Sequence, residues 1–153
     1  MMELRWQEAS FEALNVHELY AIIAARQNVF ILEQQCFYPD LDGADQAAHH
    51  LVGWTPQSEV AAYLRVIAPG VKYAEASIGR VLTTAAARGT GAGRELVRRG
   101  VALAARLYPD SPLRIGAQAH LERFYGEFGF VAASAPYDED GILHIEMLRP
   151  AMP

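Results

Sequence analysis

Cysteine and lysine are almost absent from this chain, which has one residue of each kind, Cys36 and Lys72. A single cysteine can form no internal disulfide and cannot supply the paired thiolates of a structural zinc site, which fits a reducing compartment. Long apolar runs are also missing, since no stretch reaches the roughly 18 residues that a membrane span requires. The opening MMELRWQEAS lacks the order of a secretory signal. These absences predict a cytoplasmic protein without a membrane partner.

Positive charge is scarce as well, because 13 Lys and Arg residues stand against 18 Asp and Glu residues and give a net charge of -5. Proteins that bind nucleic acids cluster basic residues against the phosphate backbone, so this balance argues against such a partner. The 153 residues, of which 52% are hydrophobic, suffice for one domain with a buried core. We therefore expect a single domain over residues 1–153.

Periodicity and turn residues predict an α+β fold. Asn15 and Glu18 form a capping box that begins a helix, which extends to about Gln35. A second helix begins at Glu95 and ends before Pro109, and a last helix ends near Gly129. Strands are predicted for LRWQEAS, HHLVGWT, EVAAYLRVIAP, SIGRVLTT, LRIGAQA, FVAAS and HIEMLR. The expected architecture has three layers, with a mixed, mostly antiparallel central sheet flanked by helices.

Three glycines alternate in the segment RGTGAGR, between a predicted strand and a predicted helix. Such a turn exposes unpaired backbone N–H groups at the positive end of a helix dipole, where phosphate binds well. A Walker A loop is excluded because it needs a lysine, and the dinucleotide fingerprint is excluded because its third glycine would fall on Arg94 or Leu96. The pattern that remains is Arg88-x-x-Gly91-x-Gly93 directly after a strand. A glycine-rich connection that binds nothing is the alternative.

This pattern resembles motif A of the GCN5-related N-acetyltransferase (GNAT) superfamily. The downstream segment GAQAHLERFYGEFGF is similar to the second cofactor segment of that superfamily. Further segments, RQNVFILEQQCFYPDLDGAD, HHLVGW and DEDGILHIEM, resemble its ElaA-like subgroup, so the resemblance runs from about Arg26 to Met147. One departure is Gln118, which stands where many members have asparagine, although either amide can bind the cofactor arm.

The resemblance implies transfer of an acetyl group from acetyl-CoA to an amine of a small molecule or peptide, in a ternary complex and without a metal. The CoA pyrophosphate would lie on the N–H groups of residues 89–94, and the pantetheine arm would pair with the end of the preceding strand. A backbone N–H near Leu82 would polarise the thioester carbonyl. The implied cofactor-binding residues are Leu82, Thr83, Arg88, Gly89, Thr90, Gly91, Ala92, Gly93, Arg94 and Gln118.

Transfer also requires an acid and a base. Tyr125 aligns with the tyrosine of the family and would protonate the departing sulfur, although a core tyrosine among phenylalanines has the same spacing. Glu33 and His120 are the candidate bases, while His50 and His144 have equally suitable side chains. Glu33 could instead pair with Arg26, and a lone histidine is more often structural.

The loop YPDLDGAD carries three carboxylates, on Asp40, Asp42 and Asp45. Its glycine comes too early for an EF-hand, so we expect no metal there. Asx turns are one explanation, and a cationic acceptor pocket lined by these carboxylates and Glu33 is another. The aromatic residues Phe37, Tyr38 and Trp54 would then bound the pocket or simply cover the sheet, and Cys36 is expected to be a buried, inert thiol.

Two other functions compete with acetyl transfer. A non-catalytic acyl-CoA-binding module would keep the cofactor loop without the chemistry. An enzyme similar to acyl-homoserine-lactone synthases would share the fold but take its acyl chain from a carrier protein, and the intact RGTGAG loop speaks against it. Acceptor identity stays open, and so does a homodimer that would cover an unpaired sheet edge.

Overall fold

The computed structural model describes residues 2–151. Its α-helices are α1 (Val16–Arg26), α2 (Ala92–Leu107) and α3 (Glu122–Gly126). Its strands are β1 (Arg5–Ser10), β2 (His49–Trp54), β3 (Val60–Ile67), β4 (Ser77–Thr83), β5 (Leu113–Gln118), β6 (Val131–Ala132), β7 (Tyr137–Glu139) and β8 (Ile142–Arg149). No helix within residues 2–151 is both long and apolar enough to cross a membrane.

The strands form two antiparallel sheets that meet at one point. The first sheet has the order β1-β2-β3-β4, and the second has the order β5-β8-β6 with β7 also paired to β8. A single parallel bridge joins Ala76 to Leu113, just before β4 and at the start of β5, and the Arg114 N–H donates to the Ala76 carbonyl at 3.0 Å. The expected mixed, mostly antiparallel architecture is confirmed, and β4 and β5 run in the same direction from this junction.

Helices cover both faces of the first sheet. Strands β2 and β3 are apolar almost throughout, which is typical of strands buried on both sides. Val52 and Tyr63 pack beneath Ile22 of α1, whereas their neighbours Leu51 and Leu64 pack with Leu96 of α2 on the opposite face. Gly100 allows the close approach of α2, because a Cβ there would come within 2.6 Å of Leu64 Cδ2.

Several boundaries differ from the sequence prediction. The capping box of Asn15 and Glu18 is present, but α1 ends at Arg26 and continues as a π-helical segment, Gln27–Glu33. Helix α2 begins at Ala92 rather than Glu95, because Gly91 serves as its N-cap. The last helix, α3, ends at Gly126 and is shorter than predicted. Strand β7 was missed, since a segment of three residues gives too short an alternation to detect.

Candidate functional site

A cavity of about 640 Å³ lies in the gap that opens as β4 and β5 diverge. Its walls include residues 78–83 of β4 and residues 115–118 of β5. The π-helical segment closes one side through Val29, Phe30 and Glu33, and π-helical turns occur frequently at functional sites. Within residues 2–151 the bridge between Ala76 and Leu113 is the only β-bridge between these two chain segments, so the carboxyl ends of β4 and β5 enclose a ligand-sized space.

The glycine loop follows β4 and leads into α2, and within residues 88–94 only Arg88 lines the cavity. Gly89 and Gly91 have φ values of +79° and +87°, a region that residues with a Cβ rarely adopt. A Cβ built at either glycine would meet no atom within 4 Å, so the space in front of the loop is open. Ala92, Gly93 and Arg94 form the first turn of the helix, so their N–H groups have no carbonyl of a preceding turn to which they can donate. This geometry suits an anion such as a diphosphate.

The two arginines of the loop are already engaged with carboxylates. The Arg88 guanidinium donates to Glu33 Oε1 at 2.7 Å and to the Thr83 carbonyl at 2.9 Å. The Arg94 guanidinium pairs with Glu127, beyond α3. The expected charge is therefore present at the loop, but an anion bound there would share both arginines with these acidic residues.

At the end of β4, backbone groups that do not pair with β3 face the gap. Leu82 pairs with Tyr63 across the ladder, and the Thr84 N–H donates to the Ala61 carbonyl. Backbone groups of successive strand residues point to opposite sides, so those of Leu82 face β3 and those of Thr83 face the gap. The backbone of Thr83, rather than that of Leu82, can therefore pair with a ligand, although the Leu82 side chain does line the cavity.

Two predicted residues lie across the gap, Gln118 at the end of β5 and Tyr125 on α3. The Gln118 side chain caps no backbone group of the turn that follows, so its amide is available to a ligand. Tyr125 is 7% exposed and packs edge-on against Phe124 and Phe130. Among residues 2–151 its hydroxyl group has no hydrogen-bond partner, and burial raises the pKa of Tyr125 to about 12. Tyr125 is thus both a core residue packed among phenylalanines and a residue of the cavity wall.

The structure separates the two candidate bases. Glu33 lines the cavity, but its carboxylate pairs with Arg88 and not with Arg26. His120 is exposed on the turn after β5 and does not line the cavity, so its position gives the prediction of a base no support. The sequence gives no sign of this, because the turn at Ala119–Leu121 decides where the imidazole points.

The three carboxylates of the acidic loop form ion pairs with arginines of the fold. Asp45 Oδ1 accepts from Arg26 at 2.7 Å and from Arg65 at 2.9 Å, and both arginines are 1% exposed. Asp42 pairs with Arg65, and Asp40 pairs with Arg26 and Arg80. Three carboxylates therefore neutralise three arginines, which leaves little negative charge to attract a cationic acceptor. Of the three carboxylates only that of Asp42 lines the cavity, and it is paired with Arg65 and Arg80, so the acceptor pocket stays a prediction.

Tyr38 and Cys36 line the cavity, whereas Phe37 and Trp54 lie outside it. Tyr38 lines the cavity, with the Arg80 guanidinium 5.4 Å from its ring centre. Phe37 is 89% exposed, and Trp54 is buried beneath Arg5 on the first sheet. Cys36 is buried at the cavity wall, where its thiol donates to the Asp140 carbonyl at 3.1 Å. Burial raises the pKa of this thiol, which favours the neutral, less reactive form.

A further group that the sequence did not single out closes the far wall, around the turn between β7 and β8. Glu139, Asp140 and His144 all line the cavity there. His144 stacks on Tyr137, with ring centres 6.0 Å apart, and its Nε2 lies 3.6 Å from Glu139 Oε2. Only the tertiary pairing of β5 with β8 places His144 opposite Gln118, and residue spacing does not reveal that register.

Comparison with known proteins agrees with this geometry. The family model described as an acetyltransferase (GNAT) domain matches residues 16–149. A UPF0039 protein of Synechocystis is 44% identical over 147 residues, covering 96% of each chain. The crystal structure of an acyl-CoA N-acyltransferase from Pseudomonas aeruginosa has a TM-score of 0.91 at 42% identity, covering 96% of this chain and 99% of that one. That of Escherichia coli ElaA has a TM-score of 0.90 at 38% identity, with the same coverage.

The match extends from the glycine loop to both walls of the gap, since residues 16–149 include all of them. Identities near 40% over almost the whole chain accompany the matching fold. The chain belongs to the GNAT acetyltransferase family, in the group that contains ElaA.

Proposed function

We propose that the protein transfers the acetyl group of acetyl-CoA to a primary amine by direct attack in a ternary complex. The observation that carries the proposal is the gap between β4 and β5, which extends from Arg88, at the start of the glycine loop, to Tyr125 and a polar far wall. One ligand that has a diphosphate and an extended amide-containing arm would fill such a path. Acetyl-CoA supplies an activated acetyl thioester at the end of that arm.

The glycine loop fits the diphosphate. Gly89 and Gly91 leave open the space in front of the backbone, and Ala92, Gly93 and Arg94 direct their N–H groups into it. Arg88 and Arg94 add positive charge at the rim, while Thr90 holds the loop through a hydrogen bond from its hydroxyl group to the Ala87 carbonyl. These contacts bind phosphate without involving a metal ion.

Thr83 and Gln118 would hold the arm from both sides of the gap. The backbone of Thr83 faces the gap and can pair with an amide, as an added strand would. Arg88 donates to the Thr83 carbonyl from both Nε, at 3.2 Å, and Nη2, at 2.9 Å, so an arm amide that binds this carbonyl would replace one of these bonds. The N–H of Thr83, near Leu82, is the donor that we assign to the thioester carbonyl.

Tyr125 is the group that would protonate the leaving sulfur. Because burial raises its pKa to about 12, the hydroxyl group keeps its proton at neutral pH and has that proton to donate. The absence of a protein partner for this hydroxyl within residues 2–151 leaves that donation free for a ligand. Positioned proton donors of this kind contribute about 10²-fold to 10⁴-fold to a rate.

The direct test combines thiol release with product analysis. Purified protein is incubated with acetyl-CoA and, separately, with spermidine, glucosamine and a lysine-containing peptide, and free CoA thiol and acetylated amine are measured together. The proposal predicts equal amounts of thiol and amide with at least one amine. Two outcomes would overturn transfer and favour a non-catalytic binding module. In the first, thiol is released but none of the three amines is acetylated. In the second, the protein binds acetyl-CoA but turns over none of the three amines. Propionyl-CoA in parallel tests the preference for acetyl.

A further inference from the structure

His144 and Gln118 stand directly opposite each other on antiparallel strands β8 and β5. Directly opposed residues share one face of a sheet, with Cβ atoms about 5 Å apart. Both side chains line the cavity, so the imidazole lies beside the amide that we assign to the pantetheine arm. His144 is therefore close to the end of the gap where the thioester would lie.

A backbone contact fixes which nitrogen of His144 can accept a proton. Nδ1 lies 2.7 Å from the carbonyl oxygen of Ile142. A carbonyl oxygen only accepts, so Nδ1 carries the hydrogen and the neutral ring leaves Nε2 as an acceptor. Glu139 places a carboxylate oxygen 3.6 Å from that same Nε2, and negative charge there stabilises a proton that arrives on it.

We propose that His144 is the general base that accepts the proton of the attacking amine at Nε2, with Glu139 as a positioning residue. The assignment rests on the proposed function, and it replaces the two bases suggested by the sequence. The match to the family does not identify a catalytic base.

The other histidines are unsuited to this role. Both ring nitrogens of His50 are engaged, with the Tyr63 hydroxyl at 2.7 Å and the Asp45 carbonyl at 3.0 Å. His17 is exposed on α1, His120 is exposed outside the cavity, and His49 lies at the start of β2, also outside the cavity wall. Within the part of the chain that the structure describes, His144 is the only histidine in the cavity wall. Glu33, the other candidate, is already paired with Arg88.

The proton transfers balance with His144 as base and Tyr125 as acid. The amine nitrogen forms a bond to the acetyl carbon as the carbon–sulfur bond breaks. His144 Nε2 takes the proton that the nitrogen loses, and Tyr125 gives its hydroxyl proton to the sulfur. A proton then moves from His144 to Tyr125 through solvent, so that amine and thioester become amide and thiol with no other reactant.

Several titratable groups lie near His144 and bear on any pH profile. Glu139 and Tyr137 come from β7, and Gln118 faces it from β5 without charge. Cys36 and Lys72 contribute to the same cavity, and Glu146, the next residue but one along β8, is paired with Arg114. Loss of Glu139 should therefore alter the profile, while loss of His144 should remove its acid limb.

The test compares His144→Gln with His17→Gln in the full chain, using the most active amine from the panel above. We expect His144→Gln to lower kcat by about 10²-fold or more, to abolish the acid limb of the pH–rate profile, and to leave the stabilisation by CoA unchanged. Glu139→Gln should lower kcat by about three- to tenfold, and His17→Gln should behave as the wild type. A retained acid limb, or a kcat within about threefold of the wild type in His144→Gln, overturns the assignment.

A second readout separates failure of this inference from failure of the proposed function. Nitrogen NMR of ¹⁵N-histidine-labelled protein, with the His144 signals assigned from the His144→Gln variant, reports which ring nitrogen is protonated. The inference predicts the Nδ1–H form in the neutral ring, even if no amine in the panel is acetylated. An Nε2–H form overturns it whatever the activity, whereas the Nδ1–H form with no turnover overturns the proposed function alone.

Discussion

Arg88 donates a hydrogen bond to Glu33 Oε1 at 2.7 Å, which ties the glycine loop to the π-helical segment across the mouth of the gap. Both side chains are more than 40% exposed, so this pair adds little to stability. Its consequence is local, because it commits the Glu33 carboxylate to the cofactor loop instead of to an incoming amine.

Glu33→Gln should therefore affect the cofactor more than the chemistry. Removal of the carboxylate frees Arg88 for phosphate, and we expect KM for acetyl-CoA to fall by about two- to fivefold, with kcat within about threefold of the wild type. Steady-state kinetics with the best amine check this. A fall in kcat of about 10²-fold would instead restore Glu33 as the base.

Tyr125→Phe should remove acid catalysis without removing cofactor binding. The change deletes only a hydroxyl group that has no partner within residues 2–151, so the fold should tolerate it. We expect kcat to fall by about 10²-fold to 10³-fold while acetyl-CoA still raises the melting temperature. The matched control is Tyr20→Phe, since Tyr20 is 78% exposed on α1. Equal turnover in both variants would remove Tyr125 from the mechanism.

Gly91→Ala tests the loop through its backbone and its open space. A Cβ at φ +87° costs about 1–2 kcal/mol, and it would project into the space that we assign to the diphosphate. We expect affinity for acetyl-CoA to fall by about tenfold or more, measured by calorimetry. Gly70→Ala is the control, because Gly70 has φ +86° and equal free space but lies in the loop between β3 and β4, away from the N-terminus of α2. Similar losses in both variants would mean that strain alone explains the result.

Acid should destabilise the protein through its buried arginine network. Hydrogen bonds from Arg65 hold the pKa of Asp42 well below its usual range, and those from Arg26 and Arg65 lower the pKa of Asp45 despite its burial. Both groups bind protons more weakly in the folded state than in the unfolded state, where the pKa is about 3.9. Their stabilisation is thus complete above that value and lost as the pH falls below it.

Urea unfolding at pH 7, 5, 4 and 3 measures this effect. The free energy of unfolding should change little between pH 7 and pH 5 on this account and fall steadily below about pH 4. Asp42→Asn should flatten the acid decline, whereas Asp110→Asn, at an exposed position, should leave it unchanged. Equal stability at pH 7 and pH 3 would show that the network does not couple to protons.

The sequence predicted features formed by neighbouring residues but did not predict contacts between residues far apart in the chain. The cap at Asn15 and the turn at Gly91 are local, so residue types and spacing were sufficient to identify them. The shared carboxylate of Asp45 joins arginines 19 and 20 residues away, and only the tertiary fold brings them together. His144 could not be singled out from the other histidines for the same reason, because its place opposite Gln118 depends on the pairing of β8 with β5.

The most direct test of the central claim is the melting temperature of the wild-type protein with acetyl-CoA, CoA, ATP or NAD. A ligand at about 100 times its Kd stabilises the folded state by about 2.7 kcal/mol, which corresponds to about 5–10 °C for a chain of this size. The account predicts such a shift with acetyl-CoA and CoA and little with ATP or NAD. No shift with CoA, or a larger one with ATP or NAD, would contradict the assignment of the glycine loop and of acetyl transfer with it.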